Sequence, residues 1–215
     1  TESRGGMAGN IAAVLRSRAF WPPAIWSLTV MGTFFTMFSL WWGPYLTKGC
    51  GLSAETAATV LTMGAMLNFV SQPLSGWISD SVLHSRRIPM LVCTACCVAA
   101  GAVMCFRGVS GMWEAAALVL LFVIGTATSS PLAFVMLRDS FPISLYGTAS
   151  GLMNILPPLW SVLLQKAYGA VLDFGGGTPE AFGMASWIVM ANACAGLAAC
   201  LLMKDAAPRA DGEHA

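Results

Sequence analysis

An acid, a histidine and two arginines are packed into the stretch Gly76-Trp77-Ile78-Ser79-Asp80-Ser81-Val82-Leu83-His84-Ser85-Arg86-Arg87, set between two oily segments. Asp80 is a fixed negative charge at a helix end, and the positive end of a neighbouring helix would attract it by about 0.3–1 kcal/mol. The expected partner is the helix that starts near Tyr146 and Gly147. A contact of this kind, made in only one conformation, biases a two-state equilibrium by its own strength. Gly76 is expected to let two helices approach closely. Arg86 and Arg87 suit the same device, and equally suit a topology anchor, because Lys and Arg gather in cytoplasmic loops.

Lys166 is the second outlier, since every other Lys or Arg falls at a segment end or in a loop. An ionisable side chain inside a membrane segment is by default a candidate for function, although its stem also reaches a headgroup layer without one. On a cavity wall it would favour an anionic solute. Asn68, Gln72, Asn154 and Gln165 are amides at membrane depth, able to meet a solute or to join helices, where each bond adds about 0.6 kcal/mol. Thr29, Thr33, Thr36 and Ser39 recur at helical spacing, and Thr126, Thr128, Ser129 and Ser130 form a second polar group beside Pro131.

Only 10% of the residues are charged and 57% are hydrophobic, against roughly one-quarter charged in soluble domains. Apolar runs of about 20 residues, long enough to cross a bilayer as helices, recur between short polar breaks. The chain is therefore read as an all-α, polytopic membrane protein with six spans. Residues 1–20 form a linker with a short interfacial helix through Ile11, Val14 and Leu15, residues 21–203 the bundle, and residues 204–215 a disordered polar tail. The first residues look like a linker, so a further segment is expected before Thr1. A net charge of +1 suggests no nucleic-acid partner.

Six spans bring both termini to one side. That side would collect Arg4, Arg16, Arg18, Arg86, Arg87, Arg138, Lys204 and Arg209, against Lys48 and Arg107 on the other. The bias predicts cytoplasmic termini. The halves also echo each other: Met66-Leu67-Asn68 in the second span resembles Leu152-Met153-Asn154 in the fifth, with Pro73 and then Pro157 and Pro158 following. Lys166 stands as far after Asn154 as Asp80 stands after Asn68. An inverted three-plus-three repeat is a common transporter design.

With these residues in view, the chain resembles the major facilitator superfamily, from about Arg16 to Met203. Gly76-x-x-x-Asp80 followed by Arg86-Arg87 is similar to the family loop G-x-x-x-D-[RK]-x-G-R-[RK]. It departs from that pattern in having Ser81 where a base is preferred, and in placing the arginine pair two residues late. Tyr146-Gly147 and Gly151-Leu152-Met153-Asn154 resemble the eleventh helix of such transporters. Trp42-Gly43-Pro44-Tyr45 through Gly51-Leu52-Ser53 resembles the seventh-to-eighth helix region of bacterial sugar-phosphate-permease-like members.

The resemblance implies the C-terminal six-helix half of a secondary transporter in a bacterial inner membrane, moving a small solute by alternating access. The implied partners are the lipid bilayer and either an N-terminal six-helix bundle or a second copy of this one. The family's cavity helices, the first and fourth of each half, imply that Thr33, Thr36, Thr126 and Ser129 line the cavity, with Asn68, Gln72, Asn154 and Lys166. No cofactor is expected, and coupling to a proton or another ion remains open. A non-transporting sensor or structural module and a membrane-embedded enzyme are the alternatives; the enzyme reading lacks a histidine within any span. The seven cysteines lie mostly in oily segments. Cys93-x-x-Cys96-Cys97 has no His or acid beside it, so no metal site is expected and these residues read as small packing residues. Gly147-x-x-x-Gly151 reads as a close helix crossing.

Overall fold

Pro22 and Pro23 open the first span, Trp21–Gly49, where a missing N–H costs nothing. In the computed structural model, which describes residues 6–83, 85–127 and 129–203, this span is α-helical to Thr36. It then passes through two π-helical segments, Met37–Trp41 and Tyr45–Gly49, on either side of Trp42–Pro44. Such segments carry an extra residue per turn and re-aim the side chains beyond them, and here they flank a proline that has no N–H to give. Gly51, with φ of +70°, turns the chain out of the helix in a conformation that side-chain-bearing residues rarely adopt.

The Ser53 hydroxyl accepts from the Thr56 N–H at 3.1 Å and caps the second span, Ala54–Trp77. That span runs on as a π-helical turn, Ile78–Leu83. The Ser85 hydroxyl accepts from the Ile88 N–H at 3.2 Å at the head of the third span, Arg87–Phe106. The fourth comprises two helices, Met112–Ala127 and Ser129–Ser140, and the fifth is Ile143–Phe174. Thr178 caps the sixth, Pro179–Leu202, and a surface helix, Met7–Arg16, precedes them all. Among the described residues every regular element is a helix. The tail 204–215, His84 and Thr128, and the side chains of Asp80, Ser129, Ser130 and Pro131, lie outside the described residues.

Among the described residues three helices are long and apolar enough to cross a membrane: Trp21–Gly49, Arg87–Phe106 and Pro179–Leu202, with mean hydropathies of 1.4, 2.2 and 1.8. The second and fifth spans are as long but hold the amides and internal prolines, and fall outside that group.

The pattern of neighbours maps onto itself when spans one to three are exchanged with four to six. The first packs on the fifth as the fourth packs on the second. The first packs on the sixth as the fourth packs on the third, and the third and sixth pack on each other. The bundle is therefore a row, second-fourth-first-fifth, backed by the third and sixth. The fifth–sixth contact is closer than its counterpart between the second and third.

Two glycines set crossings where backbone meets backbone. A Cβ on Gly125 would stand 2.5 Å from the Cys97 nitrogen, and one on Gly101 would stand 3.0 Å from the Met190 Cα. The third span is thus clamped, backbone on backbone, between the fourth and the sixth. Two buried clusters fill the bundle. One, around Phe20, Trp26, Met90, Leu137 and Met203, lies at the end that carries the arginines. The other, around Trp42, Tyr45, Phe122, Tyr168 and Phe182, lies at the opposite end.

Candidate functional site

The polar residues inside the spans fall into two sets with different surroundings. Thr29, Thr33 and Thr36 are buried, each hydroxyl donating to a carbonyl of its own helix. Asn192 of the sixth span organises the same region. Its amide donates to the Thr29 carbonyl at 2.7 Å and to the Thr33 hydroxyl at 2.6 Å, and its carbonyl accepts from the Trp160 indole at 2.9 Å. Three spans meet at this one side chain.

Thr33 and Thr36, expected on a cavity wall, are buried within this bundle, and Thr33 is held there by Asn192. Helical spacing shows that residues share a side; which side depends on the partner, and Asn192 needs acceptors. Thr126 is likewise buried, donating to Phe122 and Val123 carbonyls of its own helix. Asn192 went unrecognised in the sequence, where a lone amide in an otherwise apolar sixth span was the available signal.

The second set faces outward. Asn154 and Lys166 are exposed, and Asn68 and Gln72 are half-buried. Gln165 donates to the Ser39 hydroxyl at 2.8 Å, joining the fifth span to the first on an exposed face, and Ser39 in turn donates to the Phe35 carbonyl. The fifth span leaves Ile155, Leu159, Val162 and Leu163 open beside these groups, and the second leaves Met66, Phe69, Val70 and Leu74 open. Both flanks of the four-helix row are therefore mixed surfaces, apolar with isolated polar groups.

The loop after the second span is braced in two directions. Arg86, buried, donates to the Ser79 hydroxyl at 3.1 Å, and Ser79 donates to the Ser85 carbonyl at 3.0 Å. Arg87 donates to the Leu201 carbonyl at 2.6 Å, so a guanidinium sits at the negative end of the sixth span. None of these bonds reaches Tyr146 or Gly147, and the Asp80 side chain that was expected to do so lies outside the described residues. Tyr146 is half-buried and packs against the arginine-end cluster.

Two expectations about glycine are corrected. Nothing lies within 4 Å of a Cβ built on Gly76, Gly147 or Gly151, so no close crossing forms there. Gly147 and Gly151 are exposed on the outer face of the fifth span. The backbone-on-backbone approaches belong to Gly101 and Gly125, with Gly32, Gly64 and Gly196 set close against side chains of neighbouring spans; Gly125 falls against Cys97, which acts there as a small packing residue.

Among the described residues the chain is an all-helical bundle with internal pseudo-symmetry, two mixed flanks and an arginine-braced loop at one end. The Major Facilitator Superfamily matches residues 3–164, and the chain belongs to that family. No curated protein matches the chain. As a family member it is an integral membrane protein of the transporter class.

Proposed function

We propose that the chain is one half of a secondary active transporter that moves a small solute by alternating access, with the organic-anion class favoured. The observation that carries this reading is the character of the second and fifth spans. They are 24 and 32 residues long, yet fall short of the apolarity of the three strongest spans, and they hold Asn68, Gln72, Asn154 and Lys166 at accessible positions. A helix facing only lipid gains nothing from such groups, because polar groups in hydrocarbon are costly. They belong on a face that meets water, solute or another protein surface.

One bundle offers one wall. In this reading the facing wall is a second six-helix bundle, either N-terminal to this one or a second copy, and the solute sits near mid-membrane between them. Lys166 supplies the only exposed cation on the described part of the fifth-span face and inclines the site toward anions. The sugar-phosphate-permease-like loop and helix sequences agree with a phosphorylated or carboxylated solute. A bacterial inner membrane with both termini cytoplasmic fits the concentration of Arg16, Arg18, Arg86, Arg87 and Arg138 at one end. The Asp80 loop is then a cytoplasmic gate.

Uptake of labelled organic anions and neutral solutes by the full-length protein tests this, wild type against Lys166→Ala. Anion uptake should fall by about tenfold, equivalent to about 1.4 kcal/mol, with neutral solutes little changed. Equal transport of every solute by both proteins would remove Lys166 from the site.

A further inference from the structure

We infer that the junction between the surface helix and the first span is a binding site for one acidic phospholipid, with Arg16 and Arg18 taking the headgroup and Leu15, Trp21 and Ile25 the acyl chain. The surface helix Met7–Arg16 presses one side onto the bundle, through Val14, which is buried, and the half-buried Asn10 and Ile11. Its neighbour there is the fifth span. Leu15 lies on the flank of that contact and is 40% exposed.

The chain then turns through residues 17–20, with the Phe20 N–H donating to the Ser17 carbonyl at 3.2 Å, and enters the first span at Trp21. Trp21 and Ile25 are one helical turn apart, on one side of the span, and are 43% and 42% exposed. The three side chains make a continuous apolar strip leading from the surface helix onto the wall of the first span.

Two features distinguish this strip from ordinary lipid-facing surface. First, the Trp21 indole donates to the Leu15 carbonyl at 3.0 Å. That bond satisfies a carbonyl the helix end would leave free, and it holds the ring at the point where the span enters the bilayer, the depth that tryptophan favours. Second, two cations stand beside it. Arg16 and Arg18 are both exposed, and among the described residues no carboxylate pairs with either one; Arg107, at the other end, does pair, with Glu114 at 3.4 Å.

Guanidinium groups recognise phosphate by paired N–H donors, and a cation close to an anionic leaflet is drawn to it. A zwitterionic lipid offers the same phosphate with its charge cancelled, so the preference is for a net-negative headgroup.

The full chain in nanodiscs of equal phosphatidylglycerol and phosphatidylcholine, released for native mass spectrometry, tests the assignment. Wild type should retain phosphatidylglycerol in preference. Arg16→Gln with Arg18→Gln should lower that retention roughly tenfold, as losing two cations near an anionic surface implies, whereas Arg107→Gln should leave it unchanged. Arg16→Lys with Arg18→Lys should keep most of it. Should the glutamine variant fold poorly, wild-type retention should still fall as salt rises to about 0.5 M. Equal retention of both lipids by wild type, or undiminished phosphatidylglycerol on a folded glutamine variant, would overturn the site. So would a doubled mass from a second copy covering the strip, with lipid adducts unaffected.

Discussion

The inward threonine–asparagine set and the outward amide–lysine set hold similar residue types at similar membrane depth, yet their surroundings are opposite. Around Asn192 the donors and acceptors are bound to one another across three spans, and little polarity remains to offer a solute. Around Asn154 and Lys166 the groups are exposed. Residue type therefore says little about role in this bundle. What separates helix glue from an open face is whether a neighbouring span supplies the complementary group.

That contrast can be broken from either side. The largest expected loss of stability follows Asn192→Leu, which leaves the Trp160 indole without its acceptor and forces a branched side chain between the first and sixth spans. We expect destabilisation of about 2–3 kcal/mol, read as a lower thermal midpoint in detergent. Thr33→Val removes one acceptor of the Asn192 amide but keeps the shape, and about 1 kcal/mol should be lost by the same assay. Gln165→Ala cuts an exposed bond to Ser39 and should cost under about 0.5 kcal/mol. Lys166→Ala should leave the midpoint within about 0.5 kcal/mol of wild type, even where anion uptake falls. If Lys166→Ala destabilised the bundle as much as Asn192→Leu, the division into two sets would be wrong.

Arg87→Ala sharpens the picture at the arginine end. Loss of its bond to the Leu201 carbonyl should free the end of the sixth span, with a cost of about 0.3–1 kcal/mol and faster amide exchange confined to its last turn. Uniform exchange across the bundle would argue against a local clamp.

Much of the architecture was legible in the sequence because its markers are local. Ser53 and Thr178 cap helix starts with their own hydroxyls, Pro22 and Pro23 open the first span, and Gly51 turns the chain out of it. These signals act within a few residues and owe nothing to tertiary contacts. The inward aim of Thr33 was not legible, since it rests on Asn192, some 160 positions away along the chain. The same holds for the glycines. Gly147 and Gly151 have the spacing of a crossing motif but no neighbour, while Gly101 and Gly125 lack that motif and carry the backbone contacts. The two π-helical segments in the first span also escaped notice, because an added residue per turn leaves no mark on composition.

The glycine crossings have a mechanical consequence. At Gly101 and Gly125 the third span is held at backbone distance by the sixth on one side and the fourth on the other, so sliding at these two crossings would meet steric collision. Were the bundle to bend in a transport cycle, the interruptions available to absorb it are the π segments and internal prolines of the first, second and fifth spans and the junction between the two helices of the fourth. The bundle would then divide into a chassis at the two crossings and a suspension at the interruptions, and changes that alter speed without altering stability should concentrate in the latter.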